Sequence, residues 1–250
     1  MKRIIRKIIG NQLIVGFISV SLFWYFVYFL LQSHTIPSPY LTVTYIWNEK
    51  YMLLLHSGAS LWRIMIALFI SLLIGIPLGI ILGKNKRINT LLSPFLYYIY
   101  PIPKVAFLPI FMILYGLGNQ SKILLIIWII VFQIILSVRD GVLQIPSSYY
   151  MVMQGFRAPI YQQLIYLIFP AVLPSLFTGI RISIGISLAT LFFAENYATT
   201  YGVGYYIISA WTKMNYEEMF AGIVTLGCIG LLLFILLDKI ESKVTPWNNK

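Results

Sequence analysis

Cysteine, histidine and acidic side chains are scarce in this chain. One cysteine, Cys228, stands in 250 residues, so no intrachain disulfide can form, and the two histidines, His34 and His56, lack metal-ligand spacing. Zinc and other structural metal sites are therefore not expected, nor is any cofactor. Only seven residues are Asp or Glu, against 18 Lys and Arg, and the acids fall mostly at the ends of apolar runs. A stand-alone secondary transporter calls for inverted repeats and paired carboxylates at mid-membrane. An intramembrane enzyme calls for paired carboxylates, or a histidine with a carboxylate, on facing helices. Neither pattern is present, which leaves both as alternatives without residues to carry them. A phosphate-binding loop is missing too. Gly116-Leu-Gly-Asn-Gln-Ser-Lys122 has Ser121 where a glycine is required and Ile123 where a hydroxyl would hold magnesium, with no strand before it. ATP hydrolysis is therefore not expected of this chain, which does not read as an enzyme; where ATP is used, hydrolysis belongs to another polypeptide.

Apolar surface is what the chain has in excess. Sixty per cent of it is hydrophobic and 10% charged, with a mean hydropathy of +0.86, the balance of an all-α integral membrane protein. The net charge of +11 is not gathered into a stripe for nucleic acid. Lys and Arg sit between apolar runs, as determinants of orientation do.

Six runs are long enough to cross a hydrocarbon core at roughly 20 residues each. They cover 13–31, 61–82, 91–117, 123–136, 176–193 and 221–237. Lys2, Arg3, Arg6, Lys7, Lys84, Lys86, Arg87, Arg139, Arg157, Lys239, Lys243 and Lys250 then fall on one side, and Lys50, Lys122 and Lys213 on the other. The positive-inside bias puts both termini in the cytoplasm of a multi-pass protein of the cell membrane. Residues 1–55 form the first span and an external loop, 56–241 the main transmembrane domain, and 242–250 a cytoplasmic tail. In the second span Gly75, Gly79 and Gly83 recur four apart, a spacing that lets two helices approach closely, within one chain or between copies.

The third run is interrupted by Pro94, Pro101, Pro103 and Pro109, with Lys104 among them. Broken helices at membrane depth are tolerated only against protein or a water-filled cavity. Pro101, Pro103, Lys104 and Pro109 are thus candidates for lining a pathway, although a kinked helix with a snorkelling Lys104 fits equally. Arg181 near the cytoplasmic end of the fifth span and Glu195 at its external end complete the candidate set, Glu195 being either a pathway group or an interfacial carboxylate. Seven tyrosines, Tyr97, Tyr98, Tyr100, Tyr197, Tyr201, Tyr205 and Tyr206, suit either an aromatic solute or the lipid interface.

Residues 145–170 are too polar and too broken by proline to cross a bilayer. Pro146 and Pro159 can each open a short helix, with a bend at Arg157-Ala158 between them. Met151, Val152, Met153, Gly155, Phe156, Arg157, Ala158 and Pro159 form a cytoplasmic knob that either docks a partner or lies on lipid headgroups.

Several landmarks stand in a familiar order: Ser60-Leu-Trp-Arg63, Gly75-Ile-Pro-Leu-Gly79, Pro101-Ile-Pro103, Tyr115-Gly-Leu-Gly118 with Ser121-Lys122, Pro170-Ala-Val-Leu-Pro174 with Thr178-Gly-Ile-Arg181, and Ala194-Glu195 with Gly202-Val-Gly-Tyr205. From His56 to Glu241 the chain resembles the permease subunits of ATP-binding cassette importers, in the branch that handles nitrate, sulfonates, taurine and thiamin precursors. The resemblance implies a homodimer of permeases in membrane lipid, a cytoplasmic ATPase on each copy, and an external or periplasmic binding protein that delivers a small organic anion or a thiamin-precursor-like heterocycle. It also implies that the knob is the ATPase-coupling segment, whose family motif reads Glu-Ala-Ala, three residues, Gly. Here Met151 takes the place of the Glu, Val152 and Met153 those of the alanines, and Arg157 that of the Gly. Arg adopts the positive φ that glycine allows only at a cost of about 1 kcal/mol, so Pro159 is expected to set the corner. Without the Glu, docking is expected to rest more on apolar burial.

Overall fold

The computed structural model describes residues 2–248, with residues 2–13 and 248 described by their backbone alone. The expectations for Lys2, Arg3, Arg6, Lys7 and Lys250 concern side chains outside that description. Every regular element among the described residues is helical: α1 (Lys2–Leu31), α2 (Pro39–Asn48), α3 (Lys50–Lys84), α4 (Lys86–Ile99), α5 (Leu108–Tyr115), α6 (Asn119–Leu143), α7 (Ser147–Gly155), α8 (Ile160–Gln163), α9 (Phe169–Glu195), α10 (Val203–Thr212) and α11 (Tyr216–Val244). Five stretches are long and apolar enough to span, and α4 with the segment Lys104–Tyr115 makes a sixth, bent by 83°.

Local chemistry sets the breaks. Ser38 caps α2 by accepting from the Leu41 N–H, with Pro39 in the first turn. Asn85 ends α3 and opens α4, its side chain accepting from the Arg87 and Ile88 N–H groups. At the start of α11 the Asn215 side chain accepts from the Glu218 N–H, and Glu217 and Glu218 complement the helix dipole. Between Lys50 and Lys84 no cap or breaker intervenes except Pro77, so α3 runs for 35 residues, well beyond 61–82. At 1.5 Å per residue that is about 52 Å, longer than a hydrocarbon core of about 30 Å.

The core is a three-helix stack. A Cβ on Gly75, Gly79 or Gly83 of α3 would lie 2.6 Å from Ile134 Cγ2, 2.6 Å from Val138 Cβ or 2.5 Å from Val142 Cβ of α6. The two series rise together, so α3 and α6 are parallel, and the bent pair returns the chain between them. On the other flank of α6, Gly179 of α9 faces Ser137 and Gly141 faces Ser175, an antiparallel pairing. Ile64, Ile126, Ile130, Ile134, Val138, Val172, Ile184 and Leu191 fill the space between these helices. The glycine spacing is thus used within one chain.

Two boundaries depart from expectation. The fifth span does not begin near Leu176. From α8 the chain passes through a π-helical turn, Leu164–Ile168, directly into α9, giving one apolar rod from Ile160 to Glu195. In that turn the Phe169 N–H bonds to Leu164 O, five residues back. A widened turn relieves the clash that Pro170 would make with the preceding carbonyl in a regular helix, so the proline ends nothing. The fourth span likewise extends past 123–136 to Asn119–Leu143.

Gly79→Ala should lower the stability of the detergent-solubilised protein by about 1–3 kcal/mol, because Val138 and the Ile135 carbonyl leave its methyl no room. Gly58→Ala, on the same helix with nothing within 4 Å, should be neutral or stabilising by up to about 1 kcal/mol. Thermal unfolding of the two variants side by side checks the contrast.

Candidate functional site

At the bend, α4 stops at Ile99 and the chain turns through Pro101 and Pro103, which have no N–H to continue the helical ladder. The carbonyl of Tyr100 is taken up by Lys104, whose Nζ donates to it at 2.9 Å. The same ammonium lies 5.0 Å from the centre of the Tyr100 ring and 5.5 Å from that of Phe132. Pro109 sits in the first turn of α5, where it opens the helix and does not break it. Two grooves flank the bend. One of about 350 Å³ is lined by Ile102, Lys104 and Val105 with Ile129 of α6 and Ala189 and Phe193 of α9. The other, about 920 Å³, lies on the α4 side, with Asn89, Ser93, Tyr97, Tyr100 and Arg139 in its wall.

Glu195 lies elsewhere, fully buried at the end of α9. Its carboxylate pairs with Arg63 of α3, accepts from Ser60 Oγ at 2.8 and 3.0 Å, and accepts from the Gly204 N–H at 2.8 Å. Arg63 also donates to Asn119 Oδ1 of α6 at 2.9 and 2.8 Å and to the Tyr201 carbonyl at 2.8 Å. His56 Nδ1 stands 3.0 Å from the backbone of Gly202. The turn that carries these contacts passes so close that a Cβ on Gly202 would sit 2.4 Å from the Glu195 carboxyl carbon, which is why glycine is found there. Lys122, 1% exposed in the first turn of α6, donates to the carbonyls of Leu117, Gly118 and Ala198 at 2.9, 3.2 and 3.2 Å. Ala198 has a φ of +43°, a strained position held by that bond. The result is a clamp that fastens α3, at Ser60 and Arg63, to the start of α6, the end of α9 and the start of α10. Sequence reasoning gave Ser60, Arg63 and Lys122 no role, although they stood in the quoted landmarks. Arg63 inside the second apolar run and Lys122 directly before the fourth are the signals that were available.

At the opposite end, α7 buries no residue, and Met151, Val152 and Phe156 are exposed, Phe156 to 81%. Arg157 takes the corner with φ +48°. Its N–H bonds to Gln154 O at 2.8 Å and that of Ala158 to Met153 O at 2.9 Å, the bonding of a Schellman cap. That cap wants glycine at the position Arg157 fills. The corner is therefore set by Arg157, and the expectation that Pro159 sets it is corrected: Pro159 follows with ordinary φ at the N-cap position of α8. Met153 and Ala158 are partly covered, and Gly155 is the last residue of α7. Arg181 is not isolated either. Its guanidinium reaches Asp238 at 2.5 Å and Glu241 at 2.9 Å, tying α9 to the end of α11.

Glu195→Gln leaves the Arg63 guanidinium enclosed without its counter-charge, and breaking a buried pair in this way costs about 3–5 kcal/mol. Thermal unfolding should show that loss, and the double variant Arg63→Met with Glu195→Gln should recover part of it. Arg157→Gly should instead raise stability by about 1 kcal/mol by relieving the corner.

These sites lie on a chain with clear relatives. Residues 75–246 match the family described as binding-protein-dependent transport system inner membrane component. The taurine transport system permease protein TauC of Escherichia coli (strain K12) is 36% identical over 195 residues, covering 78% of this chain and 71% of that protein. The bicarbonate transport system permease protein CmpB of Synechococcus elongatus is 31% identical over 190 residues, 76% of this chain and 67% of its own length. The formylaminopyrimidine transport permease protein ThiX of Halalkalibacterium halodurans is 28% identical over 221 residues, 88% of each. Among solved structures, a chain of the MetNI methionine ABC transporter in an inward-facing conformation superposes with a TM-score of 0.67 at 19% identity, over 79% of this chain and 98% of that one, a likeness of fold. The apolar six-span pattern, the landmarks gathered in the clamp and these matches agree: the chain belongs to the binding-protein-dependent transport inner-membrane component family, the permease subunits of ATP-binding cassette importers.

Proposed function

We propose that two copies of this chain enclose a pathway for a small solute, that a cytoplasmic ATPase docks on each copy at α7, and that an external binding protein delivers the solute. The observation that carries the docking is the exposure of Met151, Val152 and Phe156 on α7, which rests on the core through Tyr150 and ends in a capped corner. Large apolar side chains gain nothing from water there. They fit a groove on a partner, with Arg157 beside them to meet carboxylates or carbonyls. Met151 in place of the family's Glu shifts the contact from charge to apolar burial.

The relatives named above are permeases for taurine, bicarbonate and formylaminopyrimidine. The solute here is accordingly a small organic anion or a thiamin-precursor-like heterocycle. Hydrolysis of ATP takes place in the partner. When that partner closes on nucleotide, α7 moves, and the rod from α8 through α9 carries the movement into α6 and α3, which are packed too tightly by their glycines to deform. Lys104, Pro101 and Pro103 line the pathway. Glu195 acts on it indirectly, by holding the external turn, and Arg181 by joining α9 to α11.

Both termini and α7 are cytoplasmic in this reading, supported by Lys84, Arg87, Arg139 and Lys239 lying at helix ends on the side of α7. A thiol introduced as Ser148→Cys should not react with an impermeant reagent applied to intact cells. Labelling there overturns the orientation.

Docking is tested by co-purifying the ATPase with the wild type, Phe156→Ala and Arg157→Glu. Truncating a central anchor should cost about 2 kcal/mol, roughly thirtyfold in affinity. Full retention of the ATPase, with unchanged hydrolysis in both variants, removes the docking role from α7.

A further inference from the structure

Lys104 is the one cation of the pathway face whose surroundings contain no acid. The ion pairs among the described residues are Arg63–Glu195, Arg139–Asp140, Arg181 with Asp238 and Glu241, and Lys213–Glu218, and none includes Lys104. Apart from the Thr190 hydroxyl its groove is otherwise apolar, made by Ile102, Val105, Ile129, Ala189 and Phe193, and holds no carboxylate.

Depth sharpens the point. Ile129 lies about 15 Å along α6 from its start at Asn119, and Ala189 about 9 Å short of the end of α9 at Glu195. A lysine on its four-carbon stem could snorkel toward the external surface. Instead the Lys104 ammonium turns back to the Tyr100 carbonyl, on the inner side of the bend, and lies over two aromatic rings. An unpaired ammonium in this position is costly against lipid and is explained where it faces water and an anion. The opposing wall is open as well: along α9 a Cβ on Gly185 would meet nothing within 4 Å.

We propose that Lys104 is the charge-selecting contact of this groove, a site where the anionic headgroup of a small solute displaces the ammonium from Tyr100 and pairs with it in transit. The proposal rests on the reading of this face as the transport pathway. It narrows the solute to an anion, since the groove's lining holds a lysine and no carboxylate. The contact is a passing one. A carbonyl and two ring faces hold the ammonium in the meantime, so no carboxylate has to be displaced.

Charge-selective thiol labelling tests it without knowing the solute. Cys228, the single and exposed native thiol, is first replaced by Cys228→Ala. Ala189→Cys in the groove, or Gly185→Cys where space is open, then supplies the reporter in the full-length permease in its membrane. Each is treated with the anionic 2-sulfonatoethyl and the cationic 2-(trimethylammonium)ethyl methanethiosulfonates, and each rate is divided by that of a free thiol. With Lys104 present the anionic reagent should be favoured by about tenfold, the effect of one nearby charge in a partly wet groove. Lys104→Gln should bring the ratio close to one, and Lys104→Arg should keep it. A ratio that ignores Lys104→Gln overturns the proposal and leaves the pathway standing. If neither reporter reacts with either reagent, the face is not open to water, and the pathway reading falls together with the proposal.

Discussion

The close approach of α3 and α6 is the contact on which the rest of the molecule depends. In a bilayer apolar burial drives helix association weakly, because lipid tails are as apolar as leucine, and helices are held by packing at short range. Gly75, Gly79 and Gly83 allow Ile134, Val138 and Val142 to seat against the α3 backbone, and Gly179 and Gly141 do the same between α6 and α9. Because α3 and α6 run parallel, the chain must cross back between them, and the return stroke is the bent pair. The break in that return stroke is what exposes Lys104 and opens the two grooves. Glycine spacing in one helix thus leads to a polar opening in another.

Parallel helices joined by a long return need to be fixed to one another, and the clamp does this. Arg63 and Glu195 come from α3 and α9, Asn119 and Lys122 from the start of α6, and the backbone acceptors from the turn around Ala198–Gly202. A buried ion pair of this kind adds little net stability over an apolar pair, because desolvation offsets attraction. What it supplies is definition: each donor has one place to go, and the turn between α9 and α10 cannot slide without stranding a charge.

Much of this was legible in the sequence. Apolar runs gave the six spans, prolines gave the break near Lys104 and the excursion at 145–170, and a four-residue glycine spacing gave the tight helix contact. Three things were not. Pro170 and Pro174 read as breakers, yet a π-turn absorbs the first, and a π-turn leaves no compositional mark. Glu195 at a span end read as either a pathway group or an interfacial carboxylate, because its partners are remote in the chain, Arg63 being on another helix. Lys122 read as a loop residue outside, since three backbone carbonyls that satisfy a lysine cannot be seen in any pattern of side chains. In the last two cases the decisive fact was a partner, and partners are set by the fold.

The same arrangement determines where the molecule can yield. At its C-terminal end α9 is held by the Glu195 pair, and along its length Gly179 keeps it against α6. At its N-terminal end the π-turn has wider bonding than an α-helix, and Pro170 and Pro174 each lack an N–H, so the ladder is thinnest between Leu164 and Pro174. Beyond it, the capped corner at Arg157 is stiff, with two backbone bonds across a strained residue. Force applied to α7 therefore passes the corner with little loss and meets its first compliance at the π-turn. Displacement of α7 is taken up there as rotation, and what reaches α6 and α3 is a tilt of a rigid pair. In the dimer proposed above, tilting one copy's pair against that of a second would widen or narrow the face that carries Lys104, and the moving part would lie at the bend, where the ladder is already broken.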